Sequence, residues 1–226
     1  MNILRQIFDP SADEIWRQVG GHFVQGDFSK SSQVRVHHKE WTITLDTYVK
    51  GNAVFTRMRA PFVSKDGFRF TICRKGFFSD LGKMLGMVVD EIGEPNFDDA
   101  FVIKCNDTFK LPKMFKNPRL RWMIERQPRI YLTVRDDDGW FGTPFPEGVD
   151  ELYFRVPGVV KDVERLKALF DLFAEVLNQL CRIGSACEDD PWTMLSAGPG
   201  QGALPVRPTD GQVVIPFQKS GWRRAS

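Results

Sequence analysis

The chain has 226 residues, of which 42% are hydrophobic and 27% charged, with a formal net charge of +2. Those values exclude a disordered or fibrous chain, and they leave room for a substantial hydrophobic core. So small a net charge gives no argument for a nucleic-acid or anionic-lipid partner unless the charges cluster.

No run approaches the ~20 consecutive apolar residues that cross a bilayer. Residues 1–19 carry Arg5, Asp9, Asp13, Glu14 and Arg17 and no apolar signal core, so a cytoplasmic protein is expected. Cys73, Cys105, Cys181 and Cys187 are scattered without a C-x-x-C pair, which predicts free thiols rather than a disulfide framework.

In chain order, Ser11 and Glu14 stand at capping-box spacing ahead of Ile15, Trp16 and Val19, which predicts a short helix ending at Gly20-Gly21. From residue 33 the apolar period changes to two, and four runs at 34–38, 41–48, 53–60 and 68–73 predict an antiparallel meander. Helical spacing returns over 76–92. After Gly93-Glu94-Pro95 a strand is expected at 101–105, then a basic stretch in two short helical pieces limited by Pro112 and Pro118. The alternating run 130–135, the turn-forming 136–139 and the run 151–156 predict a hairpin with an enlarged loop. In 162–183, Val163, Leu166, Phe170, Phe173, Leu177 and Leu180 recur at threes and fours, so one face of a long helix must be buried.

Beyond residue 187, prolines and glycines alternate and only 212–217 could form an edge strand. The expected fold class is therefore α+β, with antiparallel sheets packed against helices in two similarly organised blocks, 1–95 and 96–187, and a Pro/Gly-rich tail, 188–226.

Catalytic signatures are missing. The chain has no G-x-S-x-G, Walker loop or dinucleotide-binding glycine fingerprint, and just three histidines, so no catalytic residue, cofactor or metal site is predicted. His37 and His38 adjoin on a strand and would point to opposite faces. Cys181 and Cys187 match no zinc-knuckle spacing. The acidic clusters at 98–99, 136–138 and 188–190 fit caps and solvated turns.

Two basic surfaces remain. In the first, Lys110, Lys113, Lys116, Arg119 and Arg121 interleave with Phe109, Phe115 and Trp122, a mixture suited to phosphate contact or an anionic bilayer. Set against this, Phe109, Leu111, Phe115, Leu120 and Ile124 would face the core and leave the charges as an ordinary wet face.

The second surface emerges from sorting strands by face. Trp41, Ile43, Leu45, Phe68, Phe70 and Ile72 share one side, opposite Arg35, Arg57, Arg59, Arg69 and several threonines. The hairpin repeats the pattern, with Tyr131, Thr133, Arg135, Tyr153 and Arg155 on its polar side. Arginines gathered this way suit an anionic ligand or a partner subunit, and an open antiparallel sheet with a solvated side is the simpler account.

The phrase Gly93-Glu94-Pro95-Asn96-Phe97-Asp98-Asp99-Ala100-Phe101-Val102-Ile103-Lys104-Cys105-Asn106-Asp107 resembles a segment of uncharacterised bacterial domain-of-unknown-function families. In those families a basic helical piece, a hairpin and a closing helix follow. This resemblance implies a bacterial origin and a common domain plan for a cytosolic member without transmembrane helices, and no site residue. The functional expectation is a non-catalytic binding or assembly module of unknown partner, with self-association and a protein partner both open. An anionic-surface binder, for lipid or nucleic acid, is the alternative, and an enzyme with an unrecognised site the second.

Overall fold

The computed structural model describes residues 33–76, 90–136 and 145–192, together with Ile15. Of the helix predicted near residues 11–19 the described residues hold just Ile15, which is helical; of that predicted over 76–92 they hold Gly76, in a turn, and 90–92, which are not helical, Asp90 bridging to Ile103 instead; the strand expected at 212–217 lies outside them.

The described elements run β1 (Val34–His38), β2 (Trp41–Lys50), β3 (Ala53–Ser64), β4 (Phe70–Arg74), α1 (Pro95–Ala100), β5 (Phe101–Cys105), α2 (Leu111–Phe115), α3 (Pro118–Glu125), β6 (Tyr131–Arg135), β7 (Val149–Pro157), α4 (Val163–Arg182) and β8 (Ala186–Cys187). An α+β fold results, built on an eight-stranded antiparallel sheet of order β1-β2-β3-β7-β6-β4-β5, with β8 paired to β3. Strands from both halves of the chain share this sheet, and their apolar side chains, from Val34 to Leu180, join one core cluster.

The predicted meander holds for β1 to β3 and then breaks. The β6–β7 hairpin enters between β3 and β4. Length favours this partner: β7 meets β3 in eight register pairs, Thr56–Val156 through Val63–Val149, whereas β4 has five residues in all. The intervening turn steers the chain away. Asp66 Oδ1 accepts from Phe68 N, Ser64 Oγ accepts from Gly67 N, and Gly67 takes φ +64°, a conformation costly for a residue with a Cβ.

Pro61 lies within β3 without breaking it. The β2 ladder ends at Thr44–Arg59 and that of β8 starts at Val63–Cys187, so Pro61 falls where the missing N–H forfeits no ladder bond on that side.

The prolines of the basic stretch begin helices rather than end them. Pro112 and Pro118 each occupy the first turn, where backbone N–H groups have no intrahelical acceptor. Asn117 caps α3 by accepting from Arg119 N and Leu120 N, and its amide donates to Glu175 Oε1 at 2.8 Å on α4. Eleven residues of α4 are buried, among them Leu166, Phe170, Phe173, Leu177 and Leu180, and they close the core over the apolar face of the sheet.

Glu175 gives the fold a measurable pH dependence. Burial pushes its carboxyl upward, but hydrogen bonds from Arg182 and Asn117 and the charges of Arg182 and Arg119 outweigh burial and hold it below its usual value. A carboxyl depressed in the folded state stabilises above its unfolded pKa, about 4.3, and that contribution disappears as pH falls through the folded value. Urea unfolding of the parent and of Glu175→Gln should therefore differ at pH 6 and converge as the pH drops below about 4. A gap that stays constant down to pH 3 would contradict the assignment.

Candidate functional site

The registers define the polar face of the sheet as rows of side chains crossing several strands. One row reads Arg35, Thr44, Arg59, Tyr153, Thr133, Thr71 and Lys104. The next reads Asp46, Arg57, Arg155, Tyr131, Cys73 and Val102. Period-two alternation puts all of them opposite the core, and the insertion of β6 and β7 makes two predicted arginine patches one surface.

Asp46 organises its centre. Arg57 Nε donates to Asp46 Oδ1 at 2.6 Å and Arg57 Nη2 to Oδ2 at 3.0 Å, while Arg59 Nη2 donates to the same Oδ2 at 2.7 Å. One carboxylate thus serves two guanidiniums, and Arg59 Nε, buried, has no acceptor.

Aromatic rings complete the lattice. Arg57 lies 5.0 Å from the centre of the Tyr48 ring, Arg155 4.7 Å from that of Tyr131, and Arg135 3.9 Å from that of Tyr153, all within cation–π range. The Tyr153 hydroxyl donates to that of Tyr48 at 3.3 Å. Burial first, then this hydrogen bond, push the Tyr153 phenol well above its usual pKa. Arg135 is also held by Glu151, with Nε and Nη2 at 2.9 and 2.5 Å from Oε2.

This is not the open, wet side that an antiparallel sheet commonly presents. Thr44, Asp46, Thr133, Glu151 and Tyr153 are buried, while the side chains of Arg57 and Arg59 keep 26% and 15% of their exposure. The cations hold the surface layer over a buried polar bed.

The structure brings Arg35, Arg57 and Arg59 onto this face and places Arg69 apart. Arg69 stands just before β4, tied to Asp150 at 3.1 Å and Asp136 at 2.7 Å. Of the predicted cationic patch, Lys110 pairs with Asp66, Arg121 with Glu94 at 3.0 Å and Arg119 with Glu175 at 3.8 Å, and Lys113 and Lys116 are exposed. The sequence pattern does not single out Tyr48, which also stacks on Phe55 at 5.3 Å, as a ring partner, or Asp46 as the shared clamp. The alternation that placed Arg57 and Arg59 on one side placed Asp46 there too, so the signal was present.

Among the described residues the histidines do not assemble a base. Thr42 Oγ1 lies 3.1 Å from His37 Nδ1, four positions from Asp46 along β2, and burial and the nearby Arg35 push the His37 pKa below its usual value. His38 stacks on Trp41 and meets Asn178 at 3.3 Å; His22 lies outside the described residues. Among the described residues no group of three or more His, Cys, Asp or Glu is placed to hold a metal ion, and no helix is long and apolar enough to cross a membrane.

Three polar residues of the Gly93–Asp107 phrase hold backbone. Asp98 accepts from the N–H groups of Ile92, Gly93 and Glu94, Asn106 bridges Arg69 N and Gly67 O, and Asp107 accepts from Phe109 N and Lys110 N. No protein-family model, curated protein or solved structure matches the chain.

Proposed function

We propose that this protein is a non-catalytic binding or assembly module of the bacterial cytoplasm that engages another protein, or a second copy of itself, through the arginine–tyrosine face of its sheet. The observation that carries this reading is the sharing of Asp46 by Arg57 and Arg59 within rows that also hold Arg35, Arg155, Tyr131 and Tyr153. Arginine and tyrosine are the residue types that dominate binding energy at protein interfaces. Guanidiniums already fixed on rings and carboxylates lose little entropy on binding.

Arg35→Glu combined with Arg57→Ala tests it, because Asp46 keeps Arg59 and the fold should survive. Self-association is measured by sedimentation velocity, and a partner recovered by cross-linking is re-bound in purified form. The double variant should weaken the complex by roughly tenfold or more at an unchanged circular dichroism spectrum. Retention of the complex by the variant would reject the face, and substrate turnover abolished by a single point change would reject the non-catalytic reading.

A further inference from the structure

The outer side of the α2–α3 arm carries a different signal. Of the five apolar residues expected inward, Leu111, Phe115, Leu120 and Ile124 are buried at 1% exposure or less, whereas Phe109 is 85% exposed. It stands in the turn ahead of α2, where Asp107 caps its N–H and that of Lys110. Lys113 on α2, Lys116 between the helices, Arg119 and Trp122 on α3 and Arg126 just past its end are exposed as well. Trp122 is 46% exposed.

Lys110 and Arg121, held by Asp66 and Glu94 with side chains 23% and 18% exposed, drop out of the patch read from sequence, while Arg119, 3.8 Å from Glu175, keeps 51% of its exposure. Arg126 takes their place, lying 4.8 Å from the centre of the Trp122 ring. Within the arm itself Glu125 is the one exposed carboxylate among the described residues, and Glu164 of α4 stands beside Trp122.

We infer that the outer side of the α2–α3 arm docks on an anionic lipid bilayer, with Phe109 and Trp122 entering the headgroup layer and Lys113, Lys116, Arg119 and Arg126 meeting lipid phosphates and carboxylates. An exposed phenylalanine on a turn and a tryptophan among basic side chains suit an interface that is apolar on one side and charged on the other. Nucleic acid fits less well. Arg126 occupies a face of Trp122 on which a base would stack. This surface is separate from the arginine–tyrosine face and stands or falls independently of it.

Flotation with vesicles of phosphatidylcholine alone, or with about a third phosphatidylserine, tests the inference. The full chain should bind the anionic vesicles, ignore the neutral ones, and release as salt rises toward about 0.15 M. Lys113→Glu with Lys116→Glu should weaken binding by about thirtyfold or more. Phe109→Ser, at a position too exposed to affect folding, should weaken it by about fivefold. Lys50→Glu, at the exposed end of β2, should bind like the parent. Equal binding to both vesicle types, no binding at low salt, or arm variants that bind like the parent would overturn the inference. Tighter binding of a single-stranded oligonucleotide than of anionic vesicles would overturn it in favour of nucleic acid.

Discussion

Truncation of Phe154 to alanine is expected to cost about 3–5 kcal/mol of stability. Phe154 is fully buried in β7, opposite Met58 of β3 on one side and Leu132 of β6 on the other. It therefore fills the sheet where the two halves of the chain meet, in the same core cluster as Phe170 and Phe173. Neighbours held by two flanking ladders cannot collapse far into the space, so the cavity penalty adds to the lost transfer free energy. A change of this size should lower the melting temperature by about 10 °C in a protein of this length. Calorimetry of the parent and Phe154→Ala decides it. If the halves were independent units, the variant would show two separated transitions, one of them at the parent temperature.

Replacing Asp46 with alanine is expected to destabilise by about 2–4 kcal/mol, below the range for a fully buried pair because Arg57 and Arg59 retain some exposure. The damage lies in what remains. Two guanidiniums side by side on β3 lose their one shared carboxylate, and Arg57 stands directly across from Arg155, a like-charge placement that opposes strand pairing. Asp46→Asn separates charge from shape, since it keeps the side-chain volume and one acceptor oxygen. It should recover part of the loss, and both variants should be stabilised by added sulfate more than the parent, because an external anion can take the vacated place between the arginines. Urea midpoints with and without sulfate measure this. Equal sulfate responses in all three proteins would show that Asp46 does not neutralise the pair.

Much of the local structure is legible in the residues. Alternation at Val34, Val36, Trp41, Ile43, Leu45, Met58, Leu132, Leu152 and Phe154 located strands and their buried faces, because a side chain one position along a strand must point the other way. The same rule put Arg35, Arg57, Arg59 and Asp46 on one side. The six residues of α1 escape the sequence pattern: Gly93-Glu94-Pro95 reads as a break, although a proline is well placed to open a helix. Phe109 was expected inward with its apolar neighbours, and what places it outside is the Asp107 turn, whose caps are tertiary detail rather than composition.

Which strands pair, and therefore what the polar face is, lay beyond the sequence pattern. Periodicity assigns each strand a face but no neighbour, since any two amphipathic strands can bury their apolar sides together. Here β7 is placed beside β3 and β4 is displaced, a choice settled by ladder length, by the turn at residues 64–68 and by the fit of Phe154 between Met58 and Leu132. That order alone sets Arg57 beside Arg155 and Arg59 beside Tyr153, and turns two modest arginine patches into one continuous surface. Length, composition and period were enough to establish an α+β chain with a sizeable core, and the long-range pairing decided where its charges converge.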